Sequence, residues 1–143
     1  TKAHQLAMPV VYYSPITFLY WYDLPDVYKG EKELDFWKHC PTVWDESKAL
    51  AGEIGEYIIQ ARRTGNDWFV GAMNGLQARN ITLNTADFLQ KGKKYRVEIY
   101  NDDPFLQTRT KVSSTVVNVK AGKQLKLHLQ ASGGAALRFV PVR

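Results

Sequence analysis

The alternation of hydrophobic and polar residues divides the chain into a helical amino-terminal segment and a long succession of strands. The clearest feature is a hairpin around the polar turn Thr64-Gly65-Asn66-Asp67, flanked by Glu56–Arg63 and Trp68–Met73. β-Branched and aromatic residues fill both arms, and a loop of about four residues joins them, as is typical of a β-hairpin. Another extended segment, Val43–Leu50, precedes it, and Gly52–Gly55 is expected to form the intervening turn.

The later strands follow at short, regular intervals. Leucines alternate with Lys126 and His128, which places the leucines in a core and the polar residues in water. Strands that recur every 8–14 residues or so predict a mainly β fold, a two-sheet antiparallel β-sandwich of about eight strands. The remaining predicted elements are strands at Arg79–Asn84, Lys94–Tyr100, Lys111–Val119, Gln124–Gln130 and Ala135–Val142, a helical turn at Thr85–Leu89, a loop at Phe105–Thr110, and turns at Asn101–Pro104, Ala121–Lys123 and Ser132–Gly134.

The amino-terminal segment has a different pattern. Residues 3–22 are apolar on nearly every side, which predicts a helix that is buried on several faces. Pro9 and Pro15 each remove a backbone donor, so we expect a kink or break near Ser14. A short linker helix over Glu31–His39 is expected to follow. Such a segment must fold onto the β domain, pair with a second copy, or remain as an exposed sticky patch.

Several blocks of sequence resemble one enzyme family. These blocks are PTVWDES at residues 41–47, GEIGEYIIQARRTGNDWFVGAM at residues 52–73, and the strand at residues 78–83. In this order they resemble the C-terminal domain of glycoside hydrolase family 97, which contains α-glucosidases and α-galactosidases. Upstream, His4–Ala7 and Tyr13–Pro15 resemble the last helix of that family's catalytic (β/α)8 barrel.

The resemblance implies a division into residues 1–40, the final barrel helix with a linker helix, and residues 41–143, a C-terminal β-sandwich. The chain is then expected to be a non-catalytic portion that packs against and stabilises the barrel. The resemblance also implies a calcium-dependent carboxylate site in the barrel, upstream of Thr1, and a periplasmic location. This chain alone is expected to be inactive, with no catalytic, cofactor-binding or metal-binding residue of its own and with the option of a homodimer through residues 1–40.

The carboxylates are weak candidates for chemistry. A glycosidase needs two carboxylates about 5–9 Å apart across a sugar site. Asp45 and Glu46 are neighbours in an extended segment, so their side chains are expected to diverge. Glu53 and Glu56 are the other grouping. Exposure to solvent, or a hydrogen bond that stabilises a turn, is the default interpretation of all four.

The other candidate groups are isolated in sequence. His4, His39 and His128 have no second ligand at a spacing that binds zinc, although His4 follows the last barrel strand in the resembling family, where active-site loops gather. The loop Ser132–Gly134 lacks a phosphate-binding pattern and precedes a strand, so it predicts a tight turn. Cys40 is expected to be a buried, inert thiol.

Aromatic residues leave a second function open. Tyr12, Tyr13, Tyr20, Trp21 and Tyr22 are a candidate platform for sugar stacking, although packing in a core or domain interface is the commoner use. An autonomous carbohydrate-binding module is therefore the alternative, and fold alone does not decide between the two.

Composition changes this picture little. The chain has 143 residues, enough for one domain with its own core, and a single cysteine, which excludes an internal disulfide framework. Its net charge of +5 permits an acidic partner, but the basic residues are scattered and form no long run. Nucleic acid is therefore not expected as a partner. The apolar segment at Leu6–Leu19 is too short to span a bilayer.

Overall fold

The protein is described by a computed structural model that covers residues 1–18, 20, 21 and 24–142. It consists of three layers, in which helices cover one face of a large β-sheet and a small sheet covers the other. The helices and strands are α1 (Lys2–Val11), α2 (Asp35–His39), β1 (Glu46–Glu53), β2 (Tyr57–Thr64), β3 (Asp67–Asn74), β4 (Arg79–Asn84), β5 (Lys94–Asp102), β6 (Val112–Lys120), β7 (Gln124–Leu129) and β8 (Gly134–Pro141), with 3₁₀ turns at Pro25–Val27, Lys32–Leu34 and Thr85–Asp87.

Every strand pairing is antiparallel. The large sheet has six strands in the order β1-β2-β3-β8-β5-β6, and the small sheet pairs β4 with β7. The carboxyl-terminal strand β8 thus lies between β3 and β5 and joins the early hairpins to the late one. The predicted fold class, a two-sheet antiparallel sandwich of about eight strands with an amino-terminal helical segment, is confirmed.

The face of the large sheet that packs against β4 and β7 is called here the inner face. Its side chains alternate along each strand with those of the opposite face, as the pleat requires. They form a continuous apolar core with the small sheet. The fully buried members from the large sheet include Val70, Val97, Leu137 and Phe139.

The opposite face, called here the outer face, carries α1 and α2. Its core contains Phe69 and Tyr100 from the sheet together with Phe36 from α2. Two glycines allow α1 to approach the sheet closely. A methyl group on Gly71 would lie 2.8 Å from the Ala7 carbonyl oxygen, and one on Gly134 would lie 2.7 Å from the His4 Cα. Small residues on the sheet therefore set the depth at which the helix lies.

The amino-terminal helix is shorter than its apolar composition predicts. The expectation of helix through residue 22 is wrong, because α1 ends at Val11 and the described residues that follow, up to the 3₁₀ turn at Pro25, are not helical. The Tyr12 N–H still donates to the Met8 carbonyl, and the chain then turns to extended backbone ahead of Pro15. The predicted break near Ser14 therefore marks the end of the helix. Leu19 and Tyr22 lie outside the described residues.

Three turn predictions are also wrong in their bounds. The predicted turn at Asn101–Pro104 begins too early, because Asn101 and Asp102 pair with Ser113 and Val112 as the last residues of β5. The predicted turn at Gly52–Gly55 begins too early as well, since Gly52 pairs with Ile58 within β1. The β2–β3 hairpin also turns more tightly than predicted, since Thr64 pairs with Asp67.

Candidate interaction surface

An exposed stretch of large apolar side chains begins where α1 ends. Tyr13 is 86 % exposed, Ile16 73 % and Phe18 89 %, whereas Leu6, Ala7 and Val10 within α1 are fully buried. Such residues in succession are unusual on a surface that faces only water. We call this surface the apolar run, defined by Tyr12, Tyr13, Ile16, Phe18, Tyr20, Leu24 and Tyr28.

The apolar run is held against the outer face by buried anchors. Trp21 packs edge-on against Trp37 with ring centroids 5.2 Å apart, and the Lys2 ammonium lies 4.8 Å from the Trp21 ring centroid. The Trp37 indole N–H donates to the Leu6 carbonyl at 3.3 Å. The linker helix α2 and helix α1 therefore pack together, and the apolar run lies on their solvent side.

Arg62 lies beneath one end of the apolar run. It projects from β2 onto the outer face and is only 3 % exposed. Its Nη2 donates to the Val11 carbonyl at 3.3 Å, and its guanidinium lies 5.2 Å from the ring of Tyr13 and 5.9 Å from that of Trp44. Burial lowers the pKa of the Arg62 guanidinium. Within the described residues, its Nε and Nη1 have no hydrogen-bond partner.

An apolar groove adjoins the other side of α1. Its volume is about 810 Å³, and it lies where the β1–β2 and β3–β4 turns meet the carboxyl end of α1. The lining includes Tyr12 of the apolar run together with Ile54, Ile58 and Met73. The groove and the apolar run therefore form one continuous apolar surface around the carboxyl end of α1.

The amino end of α1 is fixed by polar contacts. The Asp102 carboxylate accepts from the Thr1 hydroxyl at 2.8 Å and from the Gly134 N–H at 2.9 Å. The His4 Nδ1 lies 3.0 Å from the Gly133 carbonyl oxygen. The turn between β7 and β8 thus receives the helix. The sequence predicts a tight turn at Ser132–Gly134, and in the structure Gly134 is already the first residue of β8. Asp102 was missed as a residue of interest because its neighbours have turn composition.

Three of the four carboxylate candidates are occupied by ion pairs. Asp45 accepts from the Gly65 N–H at 2.7 Å and lies 3.6 Å from the Arg63 Nη1, while Glu46 accepts from the Arg63 Nε at 3.0 Å. The expectation that Asp45 and Glu46 diverge is wrong, because Asp45 precedes β1 and both approach one guanidinium. Glu56 pairs with Arg79 at 2.8 Å, on a different part of the surface.

The structure does not bring the three histidines together. His39 Nδ1 lies 2.7 Å from the Asp35 carbonyl oxygen, and His128 Nδ1 lies 2.7 Å from Asn80 Oδ1. Among the residues that the structure describes, no group of three histidine, cysteine, aspartate or glutamate side chains is placed to hold a metal ion. Burial raises the pKa of the Cys40 thiol to about 12, so this thiol remains protonated at physiological pH.

Several aromatic rings are already covered. Arg79 lies 4.4 Å from the ring centroid of Tyr57, and Trp68 packs edge-on against Phe88 at 5.5 Å. Lys48 lies 5.4 Å from the Trp68 ring centroid. Of the candidate platform, Tyr12, Tyr13 and Tyr20 are exposed, Trp21 is buried, and Tyr22 lies outside the described residues. The exposed rings of the candidate platform thus belong to the apolar run.

Comparison with known proteins identifies the family. The family model described as "Glycosyl-hydrolase 97 C-terminal, oligomerisation" matches residues 43–140. The chain belongs to glycoside hydrolase family 97. A retaining alpha-galactosidase from Bacteroides thetaiotaomicron is 37 % identical to this chain over 141 residues. The match covers 97 % of this chain and 21 % of that protein. A probable retaining alpha-galactosidase from Streptomyces bingchenggensis is 33 % identical over 75 residues, 50 % of this chain and 11 % of that protein.

Solved structures agree with the family 97 assignment. A family 97 enzyme from Pseudoalteromonas sp., in complex with acarbose, superposes with a TM-score of 0.88 at 37 % identity over 100 % of this chain and 23 % of that one. A beta-arabinopyranosidase gives a TM-score of 0.74 at 28 % identity, over 96 % of this chain and 21 % of that one. The chain therefore spans about a fifth of the length of these relatives and corresponds to the C-terminal domain of family 97. In the part that the structure describes, no helix is long and apolar enough to cross a membrane.

Proposed function

We propose that this chain is the non-catalytic C-terminal domain of an α-glycosidase, and that it packs against and stabilises the catalytic barrel of the same polypeptide. The observation that carries the proposal is the apolar run. It follows directly on a helix that buries Leu6, Ala7 and Val10 completely, and it leaves side chains such as Phe18 89 % exposed. A docked barrel would remove this surface from water, which stabilises the pair by roughly 25 cal/mol for each Å² of apolar area buried.

For the longer polypeptide we propose hydrolysis of α-galactosides with retention of configuration. Two relatives that are 37 % and 33 % identical carry the names retaining and probable retaining alpha-galactosidase. Retaining enzymes use two carboxylates about 5–5.5 Å apart. Asp45, Glu46 and Glu56 are all paired with arginine, so we assign the catalytic pair to the barrel. We also assign to the barrel the calcium that the resemblance implies. We assign the longer polypeptide to the periplasm.

For the chain without its barrel we propose self-association through residues 1–40. The matching family model covers residues 43–140 and its description includes oligomerisation, which supports self-association of the domain, while the exposed apolar side chains are the reason for placing the contact in residues 1–40. Two copies related by a two-fold axis would bury the apolar run of each against the other. The same side chains would thus contact the barrel in the longer polypeptide and a second copy in this chain alone.

Light scattering of this chain, combined with binding of a dye for exposed apolar surface, tests the proposal. The expected result is a dimer, or a monomer with strong dye fluorescence. Replacing Tyr13, Ile16 and Phe18 together by serine should leave a dye-silent monomer. Phe105→Ser is the matched control, because Phe105 is also 88 % exposed but lies in the loop between β5 and β6. The proposed surface would be overturned if the triple serine variant of the apolar run behaves like wild type while the Phe105 variant does not.

Activity provides the second test. The chain alone should not hydrolyse nitrophenyl α-galactoside or α-glucoside, and turnover by the purified chain would contradict its non-catalytic assignment. The alternative, a carbohydrate-binding module, predicts that tryptophan fluorescence changes when maltooligosaccharides or galactosides are added. A silent titration at millimolar sugar would count against that alternative.

A further inference from the structure

We propose that Arg62 is the receptor for a carboxylate supplied from outside this chain, by an aspartate or glutamate side chain of the catalytic barrel. This inference rests on the proposed function, since it names a specific contact within the barrel interface. It is carried by the buried guanidinium, by its two donors that have no partner among the described residues, and by the pocket that Arg62 lines.

Arg62 differs from other arginines of the two sheets. Arg63, Arg79 and Arg138 each lie within 3.0 Å of a carboxylate oxygen, those of Glu46, Glu56 and Asp67. All three of these arginines are more exposed than Arg62. Among the described residues, Arg62 makes no ion pair and donates a single hydrogen bond, to the Val11 carbonyl. The most buried of these arginines thus has no counter-charge among the described residues.

A buried cation of this kind is costly without a partner. Removing a charge from water carries a penalty of several kcal/mol, which is offset only by an opposite charge and by hydrogen bonds to the remaining donors. The rings of Tyr13 and Trp44 attract the guanidinium through their faces, at 5.2 and 5.9 Å, but they do not accept its Nε–H and Nη1–H in the plane of the group. A carboxylate would supply both the charge and two acceptor oxygens, the combination that guanidinium groups bind best.

Arg62 lines a small pocket that has room for such a group. Its volume is about 170 Å³, and its walls are formed by residues 13–15 after α1 and residues 42–44 before β1. The walls combine the aromatic rings of Tyr13 and Trp44 with the hydroxyl-bearing residues Ser14 and Thr42. A carboxylate at the tip of one side chain fits these dimensions.

The position of the pocket identifies the source of the carboxylate. Tyr13 is a member of the apolar run and also a wall of the pocket, so a domain that covers the run also covers the pocket. Because the chain spans about a fifth of its relatives, the domain expected at this surface is the barrel of the same polypeptide. A second copy of this chain is the rival source and becomes an outcome of the test.

The test compares two variants of Arg62 in two contexts, this chain alone and the longer polypeptide that contains it. Arg62→Met removes the buried charge, whereas Arg62→Lys keeps it. In this chain alone we expect the Met variant to melt about 3 °C above the Lys variant, because no carboxylate is present. In the longer polypeptide we expect the order to reverse by about the same amount, because the Met variant leaves a buried carboxylate unpaired. Arg63→Met is the control. It should change the melting temperature in the same direction in both contexts, because the ion-pair partner of Arg63, Glu46, belongs to this chain.

The outcomes separate this inference from the function on which it rests. Phe18→Ser in the longer polypeptide reports whether the apolar run is covered there. Suppose that Phe18→Ser changes the melting temperature, and that Arg62→Met melts above Arg62→Lys in both contexts. The barrel then packs on this face without supplying a carboxylate to Arg62, and this inference alone is overturned. If neither has an effect in the longer polypeptide, the proposed function fails as well. A reversal that appears in this chain alone on raising its concentration would assign the carboxylate to a second copy and overturn the barrel as its source.

Discussion

The two faces of the large sheet are built from the same strands but differ in what they contain. The inner face is a closed apolar core, in which residues such as Val70, Leu137 and Phe139 are fully buried against β4 and β7. The outer face mixes aromatic rings with Gly71, with a buried arginine and with a cysteine, and it is only partly covered by helices. The difference indicates that the inner face forms a closed core within this chain, whereas the outer face leaves large apolar side chains exposed and a buried arginine without a counter-charge among the described residues.

The largest expected effect separates the two cores directly. Phe139 on the inner face packs edge-on against Phe88 at 5.1 Å, and Phe69 on the outer face packs edge-on against Trp44 at 5.4 Å and Phe36 at 5.8 Å. Phe139→Ala should cost about 4 kcal/mol of the free energy of unfolding and reduce amide protection throughout the sheets.

Phe69→Ala should cost about 3 kcal/mol, and the loss of protection should centre on α1 and α2. Hydrogen exchange measured by mass spectrometry checks both variants. Equal loss of protection in β4 and β7 for the two variants would mean that the two faces form one cooperative unit and not two separate cores.

A smaller effect is expected from the close approach of α1 to the sheet. Gly71→Ala places a methyl group 2.8 Å from the Ala7 carbonyl oxygen and 3.0 Å from the Val10 Cβ. The helix must move outward, at a cost of about 2 kcal/mol, while the pairing of β3 with its neighbours is unchanged. We expect faster hydrogen exchange in α1 and unchanged exchange in β4 and β7, which serve as the internal control. Unchanged exchange in α1 would show that the helix does not depend on this glycine.

The smallest effect uses the thiol of the outer face. Burial raises the pKa of Cys40 to about 12, whereas an unfolded cysteine ionises near pH 8.5 or so. The stability that this shift contributes is fully present below the unfolded value and is lost as pH rises toward the folded value. Between about pH 8 and pH 9.5, wild type should lose about 1 kcal/mol more than Cys40→Ala in urea unfolding. Parallel pH profiles would place Cys40 in contact with water.

Local sequence patterns predicted the strands well where one face is buried and the other is wet. Arg79–Asn84 was predicted with the bounds that β4 has, because Ile81 and Leu83 alternate with polar residues. The pattern failed where a polar residue has a tertiary partner. Asp102 was assigned to a turn by composition, yet it is buried at the end of β5, where it accepts hydrogen bonds from Thr1 and Gly134.

The sequence predicted apolar surface without a partner in the amino-terminal segment, but it did not predict which side chains are exposed there. Apolar residues on every side of the amino-terminal segment indicated a missing partner, and the segment indeed divides into a buried helix and the exposed apolar run. Arg62 could not be singled out, because its neighbour Arg63 is of the same type and only strand parity separates them. That parity directs Arg63 toward Glu46 and Arg62 under Tyr13 and Trp44.

By itself, the sequence determined the family, the fold class and most of the strands, since these depend on local alternation, on turn residues and on the spacing of recognisable blocks. Only the tertiary structure decided where α1 ends, which apolar side chains remain exposed, and which arginine is buried without a counter-charge. These features depend on the close approach of residues far apart in the chain, such as Gly71 to Ala7 and Arg62 to Val11, and no local pattern records such distances.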